Sequence, residues 1–382
     1  MDVKKLLKFL GSLRLTLVLL CAAMLVVLVG TLAQVDIGIY AAQAKYFRSF
    51  FVYAEGPGGF KIPVMPGGYL VGAGMVINLL VAGWQRFQLK WTHAGSLLVH
   101  GGLLLLLLGQ LVTDLRQVES SMRLKEGESR NYSESGRRFE LAITDRSDPK
   151  FDRVTVIPDS LLAVRKTFRL PELPFTLRVL AAWPNSKNVS TNVDNHVPPA
   201  TRGQGLRLKF AAAPPVTRSD RRNLPSAYVE LLADGQSLGV WLVSAWLAAP
   251  EAFTYQGRRY TLSLRARRYY KPFYLTLLDF THENYPGTDI PKSFSSRVRI
   301  HRPDTGEDRE VLIYMNHPLR YEGETFYQSG YDPRDPTVTI LQVVRNPGWL
   351  IPYISSTLIS LGLLFQFLKH LGGFLRRKKT AK

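Results

Sequence analysis

The chain has 382 residues, of which 46% are hydrophobic, with a formal net charge of +19 at pH 7 and a single cysteine. A lone thiol, Cys21, excludes an intrachain disulfide, and without CxxC or CxxCH the chain is neither a dithiol oxidoreductase by itself nor a covalent carrier of c-type haem. The basic residues form no single tract and come with no zinc-finger spacing or RNP-like string, which excludes nucleic acid as a partner. They flank apolar runs instead, the pattern of a membrane protein with the lipid bilayer as its solvent.

Lys4, Lys5, Lys8 and Arg14 precede an apolar run over residues 15–32. The run is longer than a signal-peptide core and no small-x-small cleavage site follows it. A retained span with its N-terminus in the cytoplasm is expected. Residues 34–67 are expected as a loop along the membrane surface, with Tyr40, Tyr46, Phe47, Phe50, Phe51 and Tyr53 at headgroup level. A second span is expected over residues 69–84, with Asn78 as its one strongly polar residue. Arg86 and Lys90 then mark a cytoplasmic turn.

The third expected span, residues 94–112, has no formal charge at neutral pH and, at ~1.5 Å per residue, crosses a hydrocarbon core of ~30 Å. His100 lies well inside it and His93 at its edge. Their separation is close to two helical turns, which predicts two imidazoles on nearly one face, ~10 Å apart along the axis. An ionisable group at such a depth is a functional-site candidate. Two readings fit these residues: a neutral histidine hydrogen-bonded to a neighbouring helix, and a ligand.

Residues 114–346 change character. Short apolar or alternating stretches (175–180, 206–210, 227–232, 239–243, 260–264, 274–280, 297–301, 311–315, 338–344) are bounded by turn pairs such as Asp234-Gly235, Gln256-Gly257, Thr305-Gly306 and Glu322-Gly323. This predicts a mainly-β domain, sandwich-like or barrel-like, with residues 185–222 as a long loop or inner boundary. A last apolar run, 349–368, follows Asn346-Pro347-Gly348 and ends before His370 and the basic tail Arg376, Arg377, Lys378 and Lys379.

The expected architecture is therefore a membrane protein of four transmembrane α-helices with a large mainly-β extracytoplasmic domain between helices 3 and 4. Residues 1–113 hold three spans (15–32, 69–84, 94–112), residues 114–346 form the outer domain, and residues 347–382 hold the fourth span (349–368) and a cytoplasmic tail. Both termini are expected in the cytoplasm.

No GxSxG, HExxH, Walker A or GxGxxG context stands out, so no catalytic residue is nominated. Outside the spans, His282-Glu283 with Asp279 reads either as metal ligands or as ordinary residues of a β domain, and His196, His301 and His317 are scattered. The string 258–274, RRYTLSLRARRYYKPFY, reads either as a half-buried strand with a charged outer face or as an anion-binding surface. Neutral imidazole is a good axial ligand for haem iron. Gly95, Gly101 and Gly102 offer a slot for its ring, and Arg86, Lys90 or outer arginines offer partners for propionates. Two histidines two turns apart on one helix cannot bind opposite faces of one iron, so a second axial ligand would come from elsewhere.

Three strings resemble the ResB family, also called CcsB or Ccs1, of the System II cytochrome c maturation machinery. They are FLGSLRLTLVLLCAAMLVVLVGTLAQ (residues 9–34), the glycine-bearing span around His100, and YMNHPLRYEGETFYQSGY (residues 314–331) before Asn346-Pro347-Gly348. Residues 145–295 match no family string. The resemblance implies an accessory subunit, not an enzyme by itself, in the bacterial cytoplasmic (inner) membrane with its large domain on the periplasmic side. It implies a CcsA/ResC-like partner carrying a WWD haem-handling domain, and apocytochrome c as a further partner. It implies His100 as an axial ligand to haem b in transit, with His93 a weaker candidate from spacing alone and no metal other than the haem iron. A reading of another class is a membrane-anchored structural docking module for an extracytoplasmic electron-transfer complex, without haem.

Overall fold

The computed structural model describes residues 2–86, 93–189, 197–216, 222–288 and 291–380. The chain divides into two compact units, one built mainly from residues 1–118 and 345–382, the other from the β-rich residues between.

Among the described residues the first unit holds six α-helices: α1 (Val3–Leu10), α2 (Leu13–Ile37), α3 (Ile39–Ala42), α4 (Gly68–Arg86), α5 (Ala94–Arg116) and α6 (Ile351–Thr380). Four of them, α2, α4, α5 and α6, are long and apolar enough to cross a membrane. Each runs past the apolar stretch read from the sequence, because helical hydrogen bonding continues where side chains turn polar. The difference is largest in α6, whose helix carries on through Lys369, His370, Arg376 and Arg377. Residues 34–67 are not a loop. They continue α2 to Ile37, add α3 and a π-helical turn (Gln43–Phe47), and close with the antiparallel hairpin Phe51–Glu55/Lys61–Pro66.

α5 and α6 are the most closely packed helix pair, and glycine is the reason. Gly95, Gly102 and Gly109 recur every seven residues, which keeps them on one side of α5, and all three are buried. A methyl group on Gly102 would stand 2.7 Å from Ile359 Cγ1 and 2.9 Å from the Ser355 carbonyl oxygen. One on Gly95 would stand 2.9 Å from the Gly362 carbonyl oxygen, and one on Gly109 would strike Ile351. Without a hydrophobic driving force between helices in lipid, such close backbone approach is what holds a pair together. Gly348 extends the seam, and its neighbour Asn346 accepts hydrogen bonds from Thr113 (3.3 Å) and from the Gly348 N–H (2.8 Å).

A second fastening joins α1, α2 and α4. Asn78, only 3% exposed, donates to the carbonyl oxygens of Leu10 (2.6 Å) and Ser12 (3.3 Å) and accepts from the Thr16 hydroxyl (2.7 Å). Ser12 caps α2 by accepting the Leu15 N–H (3.2 Å). The one strongly polar residue of the span is thus spent on the elbow between α1 and α2, where the Leu10 carbonyl lies at the end of α1.

In the second unit a ten-stranded antiparallel sheet is threaded by two long strands, Ser129–Asp145 and Arg258–Asn284. Register shifts between Ala266 and Arg268, and between Tyr270 and Leu275, bend the pair, so one end packs into each of two cores. One core joins Leu141, Ile143, Leu262 and Leu264 to a four-stranded sheet through Leu177, Val179, Val229 and Trp241. The other joins Leu275 and Leu277 to Met122, Val298, Ile300, Phe326 and Leu341. Stretches 260–264 and 274–280, separate in the sequence reading, belong to one strand. Residues 185–222, read as loop or boundary, contain the hairpin Ser186–Val189/Lys209–Ala212. Asp234-Gly235, Gln256-Gly257 and Glu322-Gly323 each carry two successive positive φ angles, the type I′ geometry that matches strand twist.

At the bend, charges pair across strands. Arg265 meets Glu140 (3.2 Å), Arg268 meets Glu134 (3.0 Å) and lies 4.1 Å from the Tyr132 ring centroid, and the Lys271 ammonium, 2% exposed, meets Glu324 (2.5 Å). The Arg/Tyr string is a strand, and Arg258, Arg265, Arg268 and Lys271 of its cations pair with carboxylates of other strands. Glu251, 4% exposed, has a different partner: the backbone N–H of Gln204 (2.8 Å). Burial pushes its carboxyl above the usual range, against that hydrogen bond.

Two predictions follow from this packing. Gly102→Ala forces α5 and α6 apart and costs roughly 1–3 kcal/mol, whereas Gly101→Ala, with open space around it, leaves stability unchanged or better; thermal unfolding in detergent separates the two. Glu251 binds its proton more tightly folded than unfolded, so its contribution to stability is full below the ordinary carboxylate range and is lost as pH rises through the folded pKa. Glu251→Gln keeps an acceptor for Gln204, and its melting temperature relative to wild type should therefore climb between pH 4 and pH 7.5.

Candidate functional site

His100 sits in the second turn of α5, roughly 200° around the helix from Gly102. The glycine seam faces α6, so the imidazole faces away from it and is exposed on this chain. Its Nδ1 lies 2.8 Å from the Ser96 carbonyl oxygen and 3.3 Å from the Ser96 hydroxyl. A carbonyl only accepts, so Nδ1 carries the proton in that bond and the lone pair of the neutral ring is on Nε2. A hydrogen bond of this kind commonly fixes the tautomer and orientation of a metal-binding histidine.

Haem fits this residue in part. The tautomer presents the correct nitrogen, and Gly101 has nothing within 4 Å of where a side chain would begin. Gly95 and Gly102 do not form the slot read from the sequence, because α6 fills it. His93 is the N-cap of α5 with non-helical backbone (φ −108°, ψ 2°), outside the register that put it on the His100 face. Lys90 lies outside the described residues, and of Arg86 the backbone alone is described, as the last residue of α4.

Farther along the His100 side of α5, Leu107, Leu111 and Asp114 line a half-open cavity of about 910 Å³ between α2, α3, α4 and α5. Its walls are mostly apolar, and its volume is that of a small-molecule site. At one end Asp114 accepts from Arg48 Nε (2.6 Å) and from the Tyr69 hydroxyl (2.5 Å). These bonds tie the segment after the π-helical turn to α4 and α5. His100 is about two turns from Leu107, so the cavity is a neighbour of the imidazole and does not enclose it.

In the β-rich unit the histidines take structural positions. His282 stacks on Tyr331 (ring centroids 4.9 Å apart) and His317 on Tyr314 (4.1 Å), while His301 pairs with Asp308 (3.6 Å); His196 lies outside the described residues. Among the described residues no three His, Cys, Asp or Glu side chains gather as a metal site.

The string at residues 314–331 builds a tight turn and a hairpin. Tyr314 and His317 exchange backbone hydrogen bonds around Asn316 (φ 66°), Leu319 and Phe326 enter the core, and Gln328 bridges Ser296 (2.7 Å) and Thr339 (2.9 Å). A model of the ResB-like family matches residues 251–339, which contain this hairpin. This part of the chain is ResB-like. Protein NrfI of Wolinella succinogenes is 37% identical to this chain over 97 residues. That alignment takes in 25% of this chain and 11% of the length of NrfI.

The resemblance expected from three strings along the chain is thus supported over residues 251–339, which contain the third of them. The match begins at Glu251, inside the region (145–295) where no family string was read, and takes in all of the long strand Arg258–Asn284. His100 and the N-terminal string lie outside the matched residues.

The sequence reading missed the Asp114 cluster, since Asp114 was taken as the first residue of the outer domain. Aspartate so close to a run of leucines, with Arg48 in the preceding aromatic stretch, was the available signal. Asp114→Ala leaves the Arg48 guanidinium and Tyr69 hydroxyl without their acceptor and should cost about 1–3 kcal/mol. Tyr69→Phe should cost less, about 1 kcal/mol, in the same detergent unfolding measurement.

Proposed function

We propose that this chain is a membrane-bound accessory subunit of the cytochrome c maturation machinery that handles haem and docks a CcsA/ResC-like partner or apocytochrome c. The ResB-like segment supports the machinery, and the contact of His100 Nδ1 with the Ser96 carbonyl, which leaves Nε2 as the ligating nitrogen, supports the haem role. In this reading the chain lies in the bacterial inner membrane, with both termini cytoplasmic and the mainly-β unit on the periplasmic side. The basic residues at Lys4, Lys5, Lys8 and in the C-terminal tail of α6 argue for that orientation.

Haem, when bound, supplies an iron that takes one axial nitrogen. The chain's own work is to hold that nitrogen still: α6 clamps α5 through the glycine seam, and Ser96 orients the ring. The open face at Gly101 would leave room for a flat ligand, with the opposite wall coming from a partner. The outer strands act as the protein-docking surface.

Copurification of wild type and His100→Ala with the partner tests this. The variant should lose haem on the order of tenfold, read as Soret absorbance per complex, with an unchanged yield of the complex. Equal haem content in both would remove the ligand role. A colourless complex from wild type that still assembles would support the docking-module reading instead.

A further inference from the structure

The helix α1 has no part in the haem role, yet among the described helices of eight residues or more its pattern is the most sharply divided. We propose that α1 is an interfacial helix whose lysines bind the headgroups of anionic lipids where α2 enters the membrane. At ~100° per residue, Lys4, Lys5 and Lys8 fall within one arc of ~100°, and Val3, Leu6, Leu7, Phe9 and Leu10 occupy the remainder. No residue of the helix is buried, and Val3 (68%) and Phe9 (59%) stand well out from the chain. Among the described residues no carboxylate pairs with the three ammonium groups, and Asp2 is engaged in capping the N–H of Lys4 (3.1 Å).

Chain continuity sets the depth. Two residues, Gly11 and Ser12, separate α1 from α2, and this elbow is seated against α4. A methyl group on Gly11 would approach Gln85 and the Ala82 backbone to 3.0–3.3 Å, and Asn78 holds the Leu10 and Ser12 carbonyls. The helix is therefore held at the level where α2 leaves the hydrocarbon. An apolar arc placed there sinks toward the acyl chains, and the opposed lysine arc meets the phosphate layer. Charge complementarity selects anionic headgroups over zwitterionic ones. The proposal takes from the preceding section the choice of the cytoplasmic leaflet alone.

The test uses the full chain reconstituted in symmetric bilayers of phosphatidylcholine containing about one-fifth phosphatidylglycerol, so that sidedness plays no part. Electron paramagnetic resonance with spin-labelled phosphatidylglycerol and phosphatidylcholine reads the selectivity of the lipid shell. Wild type should prefer phosphatidylglycerol, and the combined Lys4→Gln, Lys5→Gln and Lys8→Gln variant, with the α6 tail intact, should lose at least about threefold of that preference. A fluorophore on Phe9→Cys in a Cys21→Ser background should be quenched most by lipids labelled near the headgroup. Unchanged selectivity in the lysine variant overturns the proposal. So does a fluorophore shielded from lipid quenchers at every depth, which would mean that another protein covers α1.

Discussion

The close approach of α5 to α6 decides the geometry of everything nearby. Three glycines at seven-residue intervals remove the side chains that would keep two helix backbones apart, and α6 answers with Ser355, Ile359 and Gly362. A helix has only so much circumference. Once one side of α5 is committed to this contact, His100, Leu107 and Asp114 are turned toward the other side. The outward imidazole and the cavity along the same stripe are consequences of the seam. Nor can the glycines serve two purposes: Gly95 and Gly102 cannot both admit α6 and cradle a macrocycle.

The β-rich unit has its own organising constraint, the two long strands that pass from one core to the other. A strand of 27 residues cannot stay straight and still place Leu262 and Leu277 in separate cores, and the register shifts around Arg268 supply the bend. Bending exposes polar backbone and crowds side chains, and the cross-strand pairs Arg265–Glu140 and Arg268–Glu134 sit where that occurs. Buried Lys271 requires Glu324, since an uncompensated ammonium at that depth would cost several kcal/mol. The concentration of arginine and tyrosine that suggests a surface for anions is the chemistry needed to turn a long strand.

The sequence carried the four apolar helices and the mainly-β character of residues 114–346, because span length and strand-plus-turn alternation are local properties. Asp234-Gly235 and Glu322-Gly323 adopt the turns their composition demands. What it did not carry is non-local. The pairing of Ser129–Asp145 with Arg258–Asn284 leaves no periodic trace strong enough to join 260–264 to 274–280 across RARRYYKP. The direction of His100 depends on which side of α5 meets α6, and glycines read equally well as a helix seam or as room for a ligand. Asn78 was legible as an exception but not as the partner of Leu10, which is 68 residues away.

The division of labour between the two units follows from where chemistry is and is not available. The ResB-like strands spend polar side chains on one another: Tyr321 on Glu307, Arg302 on Asp304 and Glu322, Gln328 on Thr339. In the helical unit the oriented imidazole faces outward, on the side that α6 leaves uncovered. An imidazole within an apolar span is expensive unless polar groups meet it, and Ser96 meets its Nδ1 from within α5. Because α6 occupies the glycine side of α5, any further contact to this helix falls on the stripe of His100, Leu107 and Asp114.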